Sequence, residues 1–204
     1  TTTKIGKTDV SLTQQTNYPW DGKIKLTIDP SHKTKFAMHV RIPGWAQGEA
    51  VPGDLFVFED KSKTEFTLLL NGKVVVYKME NGYAVIERDW KKGDVLELNL
   101  PMAVKRIVSR SEVKQDEGRV ALQRGPLVYC VEGADNNGNA WNIILPKQAN
   151  FQTSFQKDLL EGITTIQFEA PTVQIEPDGL SVKTEIKKIT AIPYYAWANR
   201  GQNE

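Results

Sequence analysis

Alternation of apolar and polar side chains is the feature of this sequence that most limits its fold. Residues 24–28 place Ile, Leu and Ile at every second position, and residues 36–42 repeat the pattern with Phe, Met, Val and Ile. Because successive side chains of a strand point to opposite faces, a period of two produces one apolar and one wet face. Helical periodicity is scarce by comparison, so the chain is predicted to be all-β.

Turn signals divide the alternating runs into hairpins. Asn71-Gly72 and Asn81-Gly82 each stand between two apolar runs, and Lys92-Gly93-Asp94 precedes a third. Asn and Gly adopt positive φ at low cost, which a two-residue type I′ hairpin turn requires. Residues 66–100 are therefore predicted to form a meander of four strands.

The stretch from Arg119 to Asp135 predicts the central strand of a second sheet. Its apolar residues occupy both faces between Leu127 and Val131, which is typical of a buried strand. Gly125-Pro126 interrupts the run, and we interpret it as a bulge or bend because proline cannot donate to a ladder. Further strands are predicted at about 141–145, 163–168, 172–176, 180–188 and 189–197.

The segment from Ala103 to Gly118 is rich in charge and poor in aliphatic residues, and it predicts a domain boundary. We expect two domains, 1–104 and 105–204. Each has the size and the frequent turn signals of an antiparallel β-sandwich or jelly-roll-like fold.

Composition excludes several classes of function. The net charge is +1 and basic residues form no tract, so no overall field attracts nucleic acid or an anionic membrane. No apolar run approaches the ~20 residues of a spanning helix. The single cysteine excludes an internal disulfide and a zinc cage built from cysteines.

Metal-ligating and nucleophilic side chains are few. His32 and His39 are the only histidines, and a zinc site needs about three or four converging ligands. Cys130 lies within an apolar strand and is predicted to be a buried, structural thiol. We predict no metal or cofactor site in this chain.

Two pairs of carboxyl groups are candidates for an acid and a nucleophile, which would have to face each other across a reacting bond. Glu87 and Asp89 share one face of a predicted strand, and Asp116 and Glu117 are adjacent. Surface charge is the interpretation that their positions favour. No catalytic residue is predicted.

Aromatic side chains offer the sharpest alternative. Trp20, Trp45, Tyr195 and Trp197 lie near predicted strand ends, where three roles remain open: core packing, docking against another domain, or stacking on sugar rings. Alternation puts Tyr195 and Trp197 on one face and Tyr194 on the other. Arg124 and Arg200 are predicted to hold a carboxylate or to cap a backbone carbonyl.

Five pieces of the chain carry a family resemblance. They are TNYPWDG (16–22), HVRIPGWA (39–46), GYAVIERDWKKGD (82–94), RVALQRGPLVYCVEGAD (119–135) and ITAIPYYAWANRG (189–201). In this order they resemble the C-terminal β-sandwich region of glycoside hydrolase family 127, the β-L-arabinofuranosidase-like enzymes once classed as a domain of unknown function.

The resemblance implies a parent enzyme that releases arabinofuranose or a related sugar from plant-type glycans or glycoproteins. In that family a helical barrel carries catalysis, with a zinc-bound cysteine nucleophile and a nearby glutamate, and none of its motifs occurs in this sequence. We therefore expect a non-catalytic fragment whose partner is its own N-terminal barrel. The alternative is a carbohydrate-binding module with exposed Trp and Tyr. A parent that degrades external glycans would be periplasmic or secreted.

Overall fold

The computed structural model describes residues 1–61, 65–177 and 179–200, and this part of the chain is all-β. Its helical elements are 3₁₀ turns of three or four residues. None of the described helices is long and apolar enough to cross a membrane. The strands are β1 (Thr2–Ile5), β2 (Thr8–Thr16), β3 (Lys23–Pro30), β4 (Thr34–Arg41), β5 (Phe56–Phe58), β6 (Thr67–Leu70), β7 (Lys73–Val74), β8 (Lys78–Glu80), β9 (Tyr83–Trp90), β10 (Asp94–Asn99), β11 (Val104–Ser109), β12 (Ala121–Arg124), β13 (Leu127–Val131), β14 (Gln152–Gln156), β15 (Ile163–Ile175) and β16 (Val182–Pro193).

The chain divides into two compact units, Thr1–Ala103 and Val104–Glu204. In the first unit a sheet of order β1-β2-β3-β10-β6-β7 accompanies a sheet of order β4-β9-β8. One apolar cluster takes side chains from both sheets, with Ile28, Trp90 and Leu96 fully buried. The Trp90 indole N–H donates to the Phe36 carbonyl oxygen at 3.0 Å, which satisfies its polar atom inside the core. The predicted all-β, antiparallel sandwich character is confirmed.

The meander predicted over residues 66–100 is wrong. β6 and β7 form one hairpin, but β8 and β9 form the next hairpin in the other sheet, and β10 returns to pair with β3 and β6. Alternation specifies which face of a strand is apolar, but it does not specify the neighbouring strand. The chain therefore crosses between the layers where the sequence pattern suggested a single sheet.

The two Asn-Gly turns are confirmed. Asn71 and Gly72 have φ of 50° and 76°, and Asn81 and Gly82 have φ of 49° and 80°. Asn71 also reaches beyond its own hairpin, because its amide donates to Oδ1 of Asp94 at 2.9 Å and its oxygen accepts from the Val95 N–H at 2.9 Å. Asp94 is 1% exposed and its Oδ2 accepts from the Lys91 N–H. A buried carboxylate thus joins two turns.

The described strands of the second unit follow the order β14-β15-β16-β13-β12-β11, all antiparallel. Leu122, Tyr129, Ile166, Phe168 and Ile189 form the centre of its apolar cluster. The segment that follows β13 covers this cluster with side chains that include Ile143, Leu145 and Phe151. Irregular chain therefore supplies part of the second layer.

Gly125-Pro126 is a hairpin turn, and the interpretation as a bulge or bend within one strand is wrong. β12 and β13 pair with each other, with Arg124 opposite Leu127. Gly125 has φ of 58°, which is the conformation that a type II′ turn requires at its first central position. Proline is tolerated at the second, so the stretch that looked like one interrupted strand is two adjacent strands.

Two pairs of predicted strands are single strands. Residues 163–175 belong to β15, which continues through Pro171, and residues 182–193 belong to β16. The Pro171 carbonyl accepts from Ile144, on the side of β15 that faces away from β16. The missing N–H of Pro171 lies on the same side, so the proline removes no bond to β16. The predicted strand at 141–145 is reduced to a bridge between Ile143 and Thr172.

We predict that Asp94→Ala destabilises the first unit by about 1–3 kcal/mol, because Asn71 and the Lys91 N–H lose a buried acceptor. The matched control is Asp9→Ala, whose ion pair with Lys4 is exposed and 4.0 Å long and should cost at most about 1 kcal/mol. Urea unfolding followed by tryptophan fluorescence measures both. Equal losses in the two variants would contradict the role given to Asp94.

Candidate functional site

An exposed loop of aromatic side chains follows β16. The strand ends at Pro193, and residues 194–196 form a 3₁₀ turn. Tyr194, Tyr195 and Trp197 are 56%, 61% and 49% exposed. Tyr194 and Trp197 stack with ring centroids 5.9 Å apart and an interplanar angle of 14°. We call residues 194–197 the aromatic loop.

The predicted faces of this loop are wrong. Alternation separated Tyr194 from Tyr195 and Trp197, but alternation applies only while the chain remains a strand. The 3₁₀ turn brings residues three apart onto one side, and Tyr194 therefore meets Trp197. The signal that the strand ends was present as Pro193, which cannot donate to a continuing ladder.

A buried carboxylate holds the far end of the aromatic loop. Glu132 is 1% exposed, and its oxygens accept from the Ala198 N–H and from the Arg200 guanidinium. Arg200 also donates to Oδ1 of Asp135 at 2.8 Å. Ala198 has φ of 60°, which is strained for a residue with a β-carbon. The hydrogen bond to Glu132 fixes the chain in that conformation.

Charge pairing offsets the free-energy cost of burying the Glu132 carboxylate. The hydrogen bond to Asp135 raises the pKa of Arg200 most, Glu132 adds to the rise, and burial opposes it. An isolated buried carboxylate would be strongly unfavourable, whereas a paired and fully hydrogen-bonded one is retained. Glu132, Asp135 and Arg200, called here the acid–arginine clamp, form a network that depends on every member. Arg200 thus has the ion-pairing role predicted from the sequence.

Asn136 connects the clamp to the sheet. Its amide donates to the carbonyl oxygens of Glu132 and Thr190, at 2.7 and 2.9 Å, and its oxygen accepts from the Thr190 N–H at 2.9 Å. Asn136 is buried, so these bonds are shielded from water. The base of the aromatic loop is therefore tied to β16 before the loop begins.

Cys130 is a half-buried thiol beside this clamp. Burial raises its pKa to about 11, and the negative charges of Glu132 and Asp135 add to the rise. A nucleophilic or metal-bound cysteine requires the opposite environment, one that stabilises the thiolate. The thiol is half-buried where the sequence predicted a buried one, and its structural role stays a prediction.

Arg124 lies near a different polar group. It neighbours the hydroxyl of Tyr129, whose pKa burial raises to about 12 while the positive charge of Arg124 opposes the rise. Tyr129 is 5% exposed and belongs to the apolar cluster. This arrangement keeps the phenol neutral and gives it no acid–base role at ordinary pH.

The remaining site candidates lie outside this loop. In the second unit, Asp116 belongs to the 3₁₀ turn Lys114–Asp116, and the adjacent Glu117 is exposed. The other candidates belong to the first unit. Trp45 lies in the 3₁₀ turn Gly44–Gln47 and packs against the apolar cluster of that unit, and Trp20 is half-buried. Glu87 and Asp89 form exposed ion pairs with Lys35 and Lys33, at 3.1 and 3.3 Å. Tyr195 and Trp197 are thus the members of the predicted aromatic set that the structure brings together on one loop.

The chain's donor set does not fit a zinc centre. Within residues 1–61, 65–177 and 179–200, no group of three or more His, Cys, Asp or Glu side chains could hold a metal ion. The carboxylates nearest to Cys130 are already bound to Arg200. We derive no metal-dependent step for this chain.

Sequence reasoning missed the role of Glu132 and Asp135. Both stand in the quoted stretch VEGAD, but their partner Arg200 lies 68 and 65 residues further along. The available signal was the pair of acidic residues directly after an apolar strand together with an arginine after an aromatic run. No spacing rule connects residues at that separation.

We predict that Glu132→Ala destabilises the second unit by about 1–3 kcal/mol, because the Ala198 N–H loses its buried acceptor while Arg200 keeps its bonds to Asp135. Glu112→Ala is the matched control, since the ion pair of Glu112 with Arg110 is exposed and should contribute at most about 1 kcal/mol. Chemical denaturation of the purified variants gives both values. A loss below 1 kcal/mol for Glu132→Ala would contradict the claim that the acid–arginine clamp holds the aromatic loop.

We also predict that the native Cys130 thiol reacts slowly. At pH 8 a thiol with a pKa of about 11 is roughly 0.1% thiolate, whereas an ordinary thiol with a pKa of about 8.5 is roughly a quarter thiolate. Labelling with a disulfide reagent should therefore be about 100-fold slower than in the denatured chain, and its rate should rise about tenfold per pH unit towards pH 11. Equal rates in the native and denatured chains would contradict the assignment.

Comparison with known proteins covers both units. The family model for the β-L-arabinofuranosidase GH127 middle domain matches residues 1–102, and the model for the glycoside hydrolase family 127 C-terminal domain matches residues 104–204. A curated non-reducing end β-L-arabinofuranosidase from Bifidobacterium longum subsp. longum is 34% identical over 94% of this chain and 29% of its own length.

Solved structures agree with these matches. A GH127 β-arabinofuranosidase superposes with a TM-score of 0.92 at 39% identity, over 98% of this chain and 31% of that protein. A GH127 β-L-arabinofuranosidase from Geobacillus stearothermophilus T6 superposes with a TM-score of 0.84 at 37% identity, over 100% and 31%. The chain thus spans about three tenths of the length of these relatives. It belongs to glycoside hydrolase family 127, of which it carries the middle and C-terminal domains.

Proposed function

We propose that this chain is the non-catalytic β-sandwich portion of an arabinofuranosidase-like glycoside hydrolase, and that it packs against the helical barrel of the parent enzyme. The observation that carries the proposal is the aromatic loop. Three large rings are held in the open by a buried network, although each would bury roughly 150–250 Å² if it were covered. Such a surface is typical of a contact with another protein layer.

Rigidity supports a docking role. The acid–arginine clamp and the bonds of Asn136 fix both the strand before the loop and the residues after it. A preorganised surface loses little conformational entropy when its partner arrives. Tyr195 and Trp197 are the residues proposed to touch the barrel, and Trp20 and Trp45 are proposed as further contacts from the first unit.

The rival proposal is a carbohydrate-binding module. Its support is the near-parallel stack of Tyr194 and Trp197 and the exposure of Tyr195 and of Trp141, which is 82% exposed. Exposed aromatic faces are suited to sugar rings. The docking proposal is preferred because the relatives are about three times as long as the matched region, so a partner domain belongs to the same polypeptide in them.

The parent enzyme is proposed to release arabinofuranose or a related sugar, as the names of its relatives state for those proteins. Its nucleophile and acid–base residues are assigned to the barrel. In this chain the best candidate nucleophile, Cys130, is held protonated by burial, and the carboxylates Glu87 and Asp89 are paired with lysines at the surface.

We predict that the 204-residue chain does not hydrolyse aryl arabinofuranosides, whereas the full-length parent does. Release of the aryl group, measured at equal molar concentrations, tests this directly. Activity in the chain alone would overturn the proposal, and Glu87, Asp89, Asp116, Glu117 and Cys130 would then be substituted in turn. Titration of the same chain with arabinose and arabino-oligosaccharides, followed by tryptophan fluorescence, distinguishes docking from sugar binding. A carbohydrate-binding module would show saturable binding that Trp197→Ala abolishes.

A further inference from the structure

An aliphatic row crosses the distal part of the long β15–β16 hairpin. Ile175 lies opposite Val182, and Pro171 lies opposite Ile186. The chain beside β15 extends the row, because the Ile144 N–H donates to the Pro171 carbonyl oxygen at 2.9 Å. Residues directly opposite each other in an antiparallel ladder share a face. We call this set the aliphatic strip: Ile144, Pro171, Val173, Ile175, Val182 and Ile186.

The strip is exposed to water. Ile144, Ile175, Val182 and Ile186 are 55%, 74%, 62% and 64% exposed. The other face of β16 is charged in this part of the hairpin. Lys183, Glu185 and Lys187 lie on the same face as the buried Ile189, and Glu185 forms ion pairs with both lysines. In the distal part of the hairpin, the apolar face therefore points away from the apolar cluster of the second unit, which the other end of β15 and β16 packs against.

This exposure of the apolar face and placement of charges on the core-side face is unusual for a strand. A strand with one face on a core is ordinarily apolar towards the core and polar towards solvent. Scattered exposed aliphatic residues are common. A cluster of five aliphatic side chains and a proline on two strands and the chain beside them, interrupted by Thr184, marks a surface that another body covers. A flat uncovered row of this kind also favours aggregation.

The size of the strip indicates which body covers it. A stable interface between separate chains buries about 800 Å² and 20–30 residues on each partner, whereas the strip has six residues. A small patch suffices when the partner belongs to the same polypeptide, because the linkage supplies a high effective concentration. The relatives carry about 70% of their length outside the region that this chain matches (100% less the matched 29–31%).

We infer that the aliphatic strip is a second docking surface for the part of the parent enzyme that lies outside this chain. The inference rests on the proposed accessory function, and it names a surface that shares no residue with the aromatic loop. The partner surface is aliphatic, and its rim offers charges to Glu169 and Lys188, which stand opposite each other next to the strip. The strip and the aromatic loop would then hold the second unit at two points.

Carbene footprinting of the full-length enzyme and of the 204-residue chain tests the inference. Labelling of Val182 and Ile186 should be about fivefold lower in the full-length enzyme, because a close-packed interface core excludes solvent and probe. Labelling of the chain alone should not depend on its concentration. A second copy as the occupant would instead lower the labelling of the isolated chain as its concentration rises, and that result would overturn the inference.

Substitution at the strip provides the matched control. In the full-length enzyme, Ile186→Lys should restore the labelling of Val182 to the level of the chain alone, because a buried lysine without a partner opposes docking. Gln152→Lys adds the same charge to an exposed position of β14 in the same sheet, and it should leave the labelling of Val182 unchanged. Unchanged melting of the Ile186→Lys chain by itself would show that the variant folds.

The same footprint separates this inference from the proposed function. Protection of Tyr195 and Trp197 without protection of the strip would overturn the second docking surface and leave the accessory function standing. Labelling of both surfaces at the level of the isolated chain would overturn both proposals.

Discussion

The second unit depends on a carboxylate that water does not reach. Glu132 lies at the end of β13 with no exposed side-chain surface, and it is stable there because Arg200 and the Ala198 N–H bind its two oxygens. Removing a charge from water costs several kcal/mol even after relaxation, so such a group persists only where its partners are held in place. Glu132 therefore joins the middle of the sheet to the chain that follows the last strand. The conformation of that chain, including the left-handed Ala198, follows from this one contact.

The exposed aromatic rings are a consequence of the same arrangement. Once Pro193 ends β16, the chain turns through a 3₁₀ segment and returns to Glu132 within five residues. The rings of Tyr194 and Trp197 stack on each other during this return, and about half of the surface of each residue remains exposed. Exposed aromatic rings do not stabilise the unit that carries them. Under the proposed docking role, these rings would be buried against a partner domain, and that contact would be stabilising.

Family membership is compatible with the proposal that catalysis belongs to another part of the parent enzyme. Relatives named as arabinofuranosidases are about three times as long as the matched region. Cys130 is held protonated by burial beside two carboxylates, and the surface carboxylates Glu87 and Asp89 are paired with lysines across the sheet.

Alternation, turn residues and family motifs were sufficient to predict the all-β class, the two Asn-Gly hairpins and the family. These properties are local, since a period of two and a positive φ are determined by neighbouring residues. The strand partners of residues 66–100, the hairpin at Gly125-Pro126 and the pairing of Glu132 with Arg200 depended on which distant segments meet. The same is true of the aliphatic strip, because alternation within residues 182–187 is equally regular whichever face is buried. Local sequence thus determined how each strand is built, and tertiary structure decided which face of it meets water, because burial is a property of the assembled layers.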